Sequence, residues 1–145
     1  MTTKASLTSR QVQGEVYRLL LLSPLAGALS GGVYRAGLRP RDSRLEDAVV
    51  VFTTGLAGEV ETGVVTINVY VPDIDPRADG VWVEDVRRTE QVERLAAEWA
   101  ASLTAATTGN YLFRLSGAIE THEEAETRQH FVTVRLRYSY YATND

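Results

Sequence analysis

The chain contains no cysteine, which excludes disulfide bridges, thiolate metal sites and a cysteine nucleophile. Histidine is scarce as well. Only His122 and His130 occur, and neither has a partner at a spacing that organises a known metal or catalytic site. Long apolar runs are missing: Leu19 to Leu22 ends at Ser23-Pro24, far short of the ~20 residues a membrane span requires. Met1-Thr2-Thr3-Lys4 leads into polar sequence, so neither an export signal nor a membrane anchor is expected, and a reducing cytoplasm is the default compartment.

An excess of basic charge is lacking too. The formal net charge is -4, so attraction to a phosphate backbone would have to come from a local patch. Arg35, Arg39, Arg41 and Arg44 cluster around Pro40, and Arg135 and Arg137 share one face of a late strand. Glu46, Asp47 and the acidic stretch from Glu120 to Glu126 offset them, and nucleic acid is not an expected partner.

What the chain does have is an ordinary globular composition, 44% hydrophobic and 23% charged over 145 residues, which suits one domain, residues 1–145, with its own core. Val12, Val16, Leu19 and Leu20 recur at helical spacing, and Thr8 with Gln11 reads as a capping box, predicting a helix from about Ser9 to Leu22. Leu21 and Leu22 widen its apolar stripe, which fits either deep burial or contact with a neighbour. Pro24 turns the chain. Val33-Tyr34-Arg35 is a short strand, followed by a polar loop from Gly37 to Ser43.

Val49 to Phe52 and the alternating run Val64 to Val71 predict two further strands. Between them, Thr53 to Gly63 is polar and glycine-rich, suited to a long hairpin or a projecting arm. After Pro72, Asp73, Asp75, Pro76, Asp79 and Gly80 form an acidic turn. Val92, Leu95, Ala96, Trp99 and Leu103 then make the stripe of a second helix that packs on a sheet, with Trp99 at the centre. Alternation resumes over Tyr111 to Glu120 and Val132 to Tyr140, with His122 to Gln129 connecting them. The expected fold is α+β: a largely antiparallel sheet of four to five strands with two helices on one face, in the order α-β-β-β-α-β-β.

The search for chemistry comes back with incomplete sites. Gly55-Leu56-Ala57-Gly58 lacks the lysine and the following helix of a phosphate loop. Asp73, Asp75 and Asp79 lack the glycine and terminal glutamate of a calcium loop, and turn formation accounts for them more simply. His122 beside Glu123, Glu124 and Glu126 reads as a solvated loop, and His130 as a surface or edge residue. No catalytic residue, metal or cofactor is therefore expected. The residues expected to make subunit or partner contacts are Gly55, Leu56, Gly58, Glu59 and Glu61 in the arm, Asp73 and Asp75 in the acidic turn, and Arg135 and Arg137 on the last strand. A pocket between sheet and helices, with Tyr34, Tyr70 and His130 as polar contacts, is the alternative arrangement.

Four segments carry a resemblance to a known family. They are the first helix running into Leu25 to Leu29, the Gly31-Gly32-Val33-Tyr34 step followed by Arg39-Pro40, the single amphipathic helix from about Arg88 to Leu103, and the aromatic last strand from Gln129 to Tyr141. Together they resemble the tail completion and tail terminator proteins of long-tailed phages and prophages. The resemblance implies a small α+β subunit that forms a ring, with six copies the expected number, at the head-proximal end of the tail tube. There it would end tube polymerisation and meet the head-tail connector protein. It carries no catalytic residues over. The long Gly55 to Gly63 segment and the acidic insertion from Asp73 to Gly80 depart from the pattern.

Overall fold

A computed structural model of the chain describes residues 7–58, 60–106 and 109–141. Helix α1 spans Ser9–Leu21. Its start is the capping box read from the sequence: Gln11 N–H donates to Thr8 Oγ1 (3.1 Å) and Thr8 N–H to Gln11 Oε1 (2.8 Å). Val12, Val16 and Leu20 face the core, while Leu21 and Leu22 are exposed. Pro24 ends α1 but also opens a second, short helix, α2, at Pro24–Ala28. Ser23 caps it, accepting from Ala26 N–H, and proline at the first helical position has no amide to waste.

The strands are β1 (Val33–Arg35), β2 (Ala48–Leu56), β3 (Val60–Pro72), β4 (Tyr111–Leu115), β5 (Glu120–Glu124) and β6 (Gln129–Tyr141), with helix α3 at Val86–Ala105 between β3 and β4. They form one six-stranded sheet in the order β1-β2-β3-β6-β4, with β5 also paired to β6. The α+β class, the mostly antiparallel sheet and helices packed on it all agree with the sequence reading. Three details differ from it. Among the described residues there are three helices rather than two, and six strands rather than four or five. The pair β1–β2 is parallel, although only a loop separates the two strands. A parallel pair cannot close through a tight turn, so the chain from Ala36 to Asp47 travels back to the start of the neighbouring strand.

The third difference lies in the last part of the chain. Gly117, with φ of 80°, breaks the run from Tyr111 to Glu120, and His122 to Glu124 belong to a strand rather than a connection. The connection is a 3-10 turn at Ala125–Thr127, ended by Arg128 at φ 53°. Strands β4 and β5 lie one after the other along the same edge of β6: β4 pairs Leu136 to Tyr140 and β5 pairs Gln129 to Thr133.

Alternation along β3 and β6 sorts their side chains cleanly. Val65, Ile67, Val69 and Val71 join Val132, Val134, Leu136 and Tyr138 in one cluster with Val12, Val16 and Leu20 of α1 and Val92, Ala96, Trp99 and Leu103 of α3. One face of the sheet is therefore covered by the helices.

The connection between β1 and β2 is held by a buried carboxylate. Asp47 accepts from Gly32 N–H (3.0 Å), Arg39 Nε (2.8 Å) and the Ser43 hydroxyl. Gly31 passes so close that a Cβ there would lie 2.0 Å from Asp47 Oδ1. Burial alone would raise the Asp47 pKa, but the hydrogen bonds from Ser43, Arg39 and Gly32 outweigh it and hold the carboxyl below its ordinary value. A group with a lowered folded-state pKa contributes stability above its unfolded value of about 4, and that stability is lost as the pH falls through the folded pKa. Acid unfolding followed by circular dichroism is expected to depend on Asp47. In Asp47→Asn the charge-assisted hydrogen bonds are lost, at a cost of about 2 kcal/mol at neutral pH, and the slope of stability against pH below about 4 becomes shallower than in the wild type.

Candidate interaction surface

Among the described residues, no helix packs on the second face of the sheet. Partner residues in the register show its rows: Thr54, Val64, Arg137 and Arg114 lie side by side across β2, β3, β6 and β4, and Val51, Thr66 and Arg135 form the next row. One end of this face is closed by the β1–β2 loop. There Arg39 lies over the Tyr70 ring (4.1 Å to the centroid) and donates to Gln129 Oε1, while Arg44 donates to the Thr127 carbonyl. The opposite end, where β2 and β3 project, is not covered by any of the described residues.

Three arginines mark the uncovered end. Arg114 and Arg137 are Cα partners and both are exposed, and Arg135 points the same way two residues along β6. Among the described residues none of the three makes a salt bridge. Like charges placed directly opposite one another repel, so this arrangement is unfavourable within the chain itself.

The projecting arm is a hairpin whose strands are continuous with the sheet: β2 runs to Leu56 and β3 starts at Val60. Its glycines have a packing reason. Gly55 and Gly63 are partners, and the Tyr138 ring lies over them on the helix side, where a Cβ on either would come within 2.7 Å of the Tyr138 hydroxyl. Burial and the Glu61 charge raise the Tyr138 pKa, in keeping with a ring packed into this notch. On the uncovered side the same hairpin forms a groove of about 430 Å³ lined by Thr54, Leu56, Thr62, Val64, Arg137 and Ser139. Leu56 is 73% exposed at its rim.

The structure thus brings Gly55, Leu56 and Arg137 together at one end of the sheet, with Arg135 two residues farther along β6, opposite Thr66 at the middle of β3. Gly58 lies in the hairpin turn, and Glu59 falls outside the described residues. Glu61 is directed elsewhere: it is buried on the helix side, and both carboxylate oxygens accept from Leu7 N–H. Asp73 and Asp75 sit at the far end of β3. Asp73 Oδ1 meets His130 Nδ1 at 2.7 Å, and Asp75 accepts from the amides of Asp79 and Gly80.

His130 is not an edge residue. It lies on β6 between β3 and β5, with a side chain 14% exposed, and its Nε2 approaches Glu84 Oε1 at 3.6 Å. Asp73 and Glu84 flank the excursion between β3 and α3, so His130 fastens both ends of it. Tyr70 and His130 face opposite sides of the sheet, Tyr70 against Phe131 and Arg39, so they do not converge on one pocket. A feature absent from the sequence reading is the apolar surface of that excursion: Val81 (61%), Trp82 (42%), Val83 and Val86 are all exposed. Its signal was Val81-Trp82-Val83, a short apolar run inside a polar turn.

No metal-binding cluster of histidine and carboxylate groups occurs among the described residues. No helix among them is long and apolar enough to cross a membrane.

No family profile matches the chain, and no curated protein does. Solved structures do match. One is 20% identical over 93% of this chain and 98% of the other, with a TM-score of 0.52. At that identity the likeness speaks for the fold alone.

Proposed function

We propose that the chain is a structural subunit of a phage or prophage tail, forming a ring at the head-proximal end of the tail tube. The ring stops tube polymerisation and offers a surface to the head-tail connector protein. Its partners in this reading are further copies of itself, the tail-tube protein and the connector, in the tail or neck of the virion. It catalyses no reaction.

The observation that carries the reading is the uncovered sheet face, with three arginines lacking any carboxylate partner among the described residues beside a projecting hairpin. Such a surface suits protein contacts better than chemistry, because its charges are spread over strand rows and do not converge on one point. The resemblance of the four sequence segments to tail terminators supplies the type of assembly. Sedimentation velocity, negative-stain imaging and binding to the tail-tube protein test the reading together. Closed rings that bind tube ends are expected. A chain that ignores the tube protein, whether monomeric or assembled, would overturn it.

A further inference from the structure

The excursion from Asp73 to Asp85 is unusual in showing large apolar side chains on a rigid frame. Ile74 and Val83 exchange backbone hydrogen bonds, each 2.9 Å, and Asp75 and Asp79 hold the amides of the turn. His130 fastens the base and Arg128 lies over the Trp82 ring at 5.0 Å. A knob already held in one conformation loses little entropy when it docks, and tryptophan is a residue type favoured at the energetic centre of interfaces. The segment from Asp73 to Asp85 carries five carboxylates, Asp73, Asp75, Asp79, Glu84 and Asp85, against one arginine, Arg77.

The uncovered groove has the opposite character: Leu56 and Val64 supply apolar surface beside Arg137, with Arg114 and Arg135 next to it. Its volume of about 430 Å³ falls in the range of cavities that seat a group of this size. Knob and groove cannot meet within one copy. They lie at opposite ends of β3, whose 13 residues extend roughly 40 Å at ~3.3 Å per residue. The geometry points to a head-to-tail contact between copies of this chain, in which the Val81-Trp82-Val83 knob of one copy seats in the hairpin groove of the next, beside Arg135 and Arg137. This deepens the ring reading and rests on it for closure alone, because a head-to-tail contact makes a ring if the rotation closes and a filament if it does not.

Two variants each disable one half of the contact: Arg135→Glu with Arg137→Glu for the groove, and Trp82→Ala for the knob. Sedimentation velocity should show each variant alone weakened in self-association by at least about tenfold, while their 1:1 mixture forms a heterodimer through the one intact contact. Circular dichroism melts check folding. If either variant fails to fold, the cysteine-free background offers a second route: Leu56→Cys and Val81→Cys chains, mixed and mildly oxidised, should give a covalent heterodimer that neither forms alone. A monomeric wild type, or a mixture with neither heterodimer nor cross-link, overturns the contact. Wild-type rings that persist in both variants overturn this pairing of surfaces and leave the ring reading standing. Assembly through this contact without binding to the tube protein does the reverse.

Discussion

Trp99→Ala is expected to destabilise the fold by about 3–5 kcal/mol, the range for removing a fully packed aromatic side chain. Trp99 is 4% exposed at the centre of the α3 stripe, between Val92 and Ala96 on one side and Leu103 on the other. Truncation leaves a cavity that the helix cannot collapse into, since α3 is already held at its first turn. There Arg88 makes a two-pronged contact with Glu46 (2.6 and 2.8 Å) and donates to the Ala28 carbonyl (2.7 Å). The melting temperature should fall by roughly 10 °C or more. Glu98→Ala, on the exposed face of the same helix, serves as the comparison and should shift stability by no more than about 0.5 kcal/mol. Equal melting temperatures for the two variants would contradict this packing.

Gly63→Val should be nearly as damaging, at about 3 kcal/mol, the upper end of the usual cost of overfilling a packed site. A Cβ at Gly63 would lie 2.2 Å from the Thr54 carbonyl oxygen, which belongs to the backbone and cannot swing away, and 2.7 Å from the Tyr138 ring. Gly55→Ala tests the reasoning. Its obstructing atoms, the Tyr138 hydroxyl at 2.7 Å and Phe52 Cζ at 2.8 Å, are the ends of side chains that can move. Chemical denaturation should therefore rank Gly63→Val well below Gly55→Ala in stability. If the two are equally mild, the hairpin does not hold the register described.

Much of this fold could be read from the sequence, because its main signals are local. The Thr8–Gln11 capping box, the α3 stripe and the strict alternation of β3 and β6 each depend on residues a few positions apart. What escaped depends on partners far along the chain. Glu120 to Glu124 has little strand propensity, and it is a strand because β6 extends past the end of β4 and offers an edge, with Thr121 donating to Glu93 of α3. The parallel pairing of β1 is fixed by Asp47 reaching back to Gly32. Ser23-Pro24 carries the signal of a helix start as well as of a stop, since a serine cap followed by proline suits the first turn of α2.

The residues proposed to make contacts divide in the same way. Arg135 and Arg137 follow from strand alternation, whereas the roles of Gly55 and Gly63 needed Tyr138, a residue more than 70 positions away. Extending the alternation of β3 backwards from Val65 places Glu61 on the buried face, so its internal contact with Leu7 was in principle readable.

Strand β1 pairs only with the first three residues of β2, so the outer backbone of β2 from Val51 to Leu56 has no neighbour among the described strands. Such an edge is a template on which other chains can add as strands and precipitate. The register shift between Phe52 and Thr54 interrupts it: the extra residue bends the strand and throws its amides and carbonyls out of step. An incoming chain can pair on one side of the bulge or the other but not across it. The bulge thus limits the ways in which the bare edge of β2 could gather other chains.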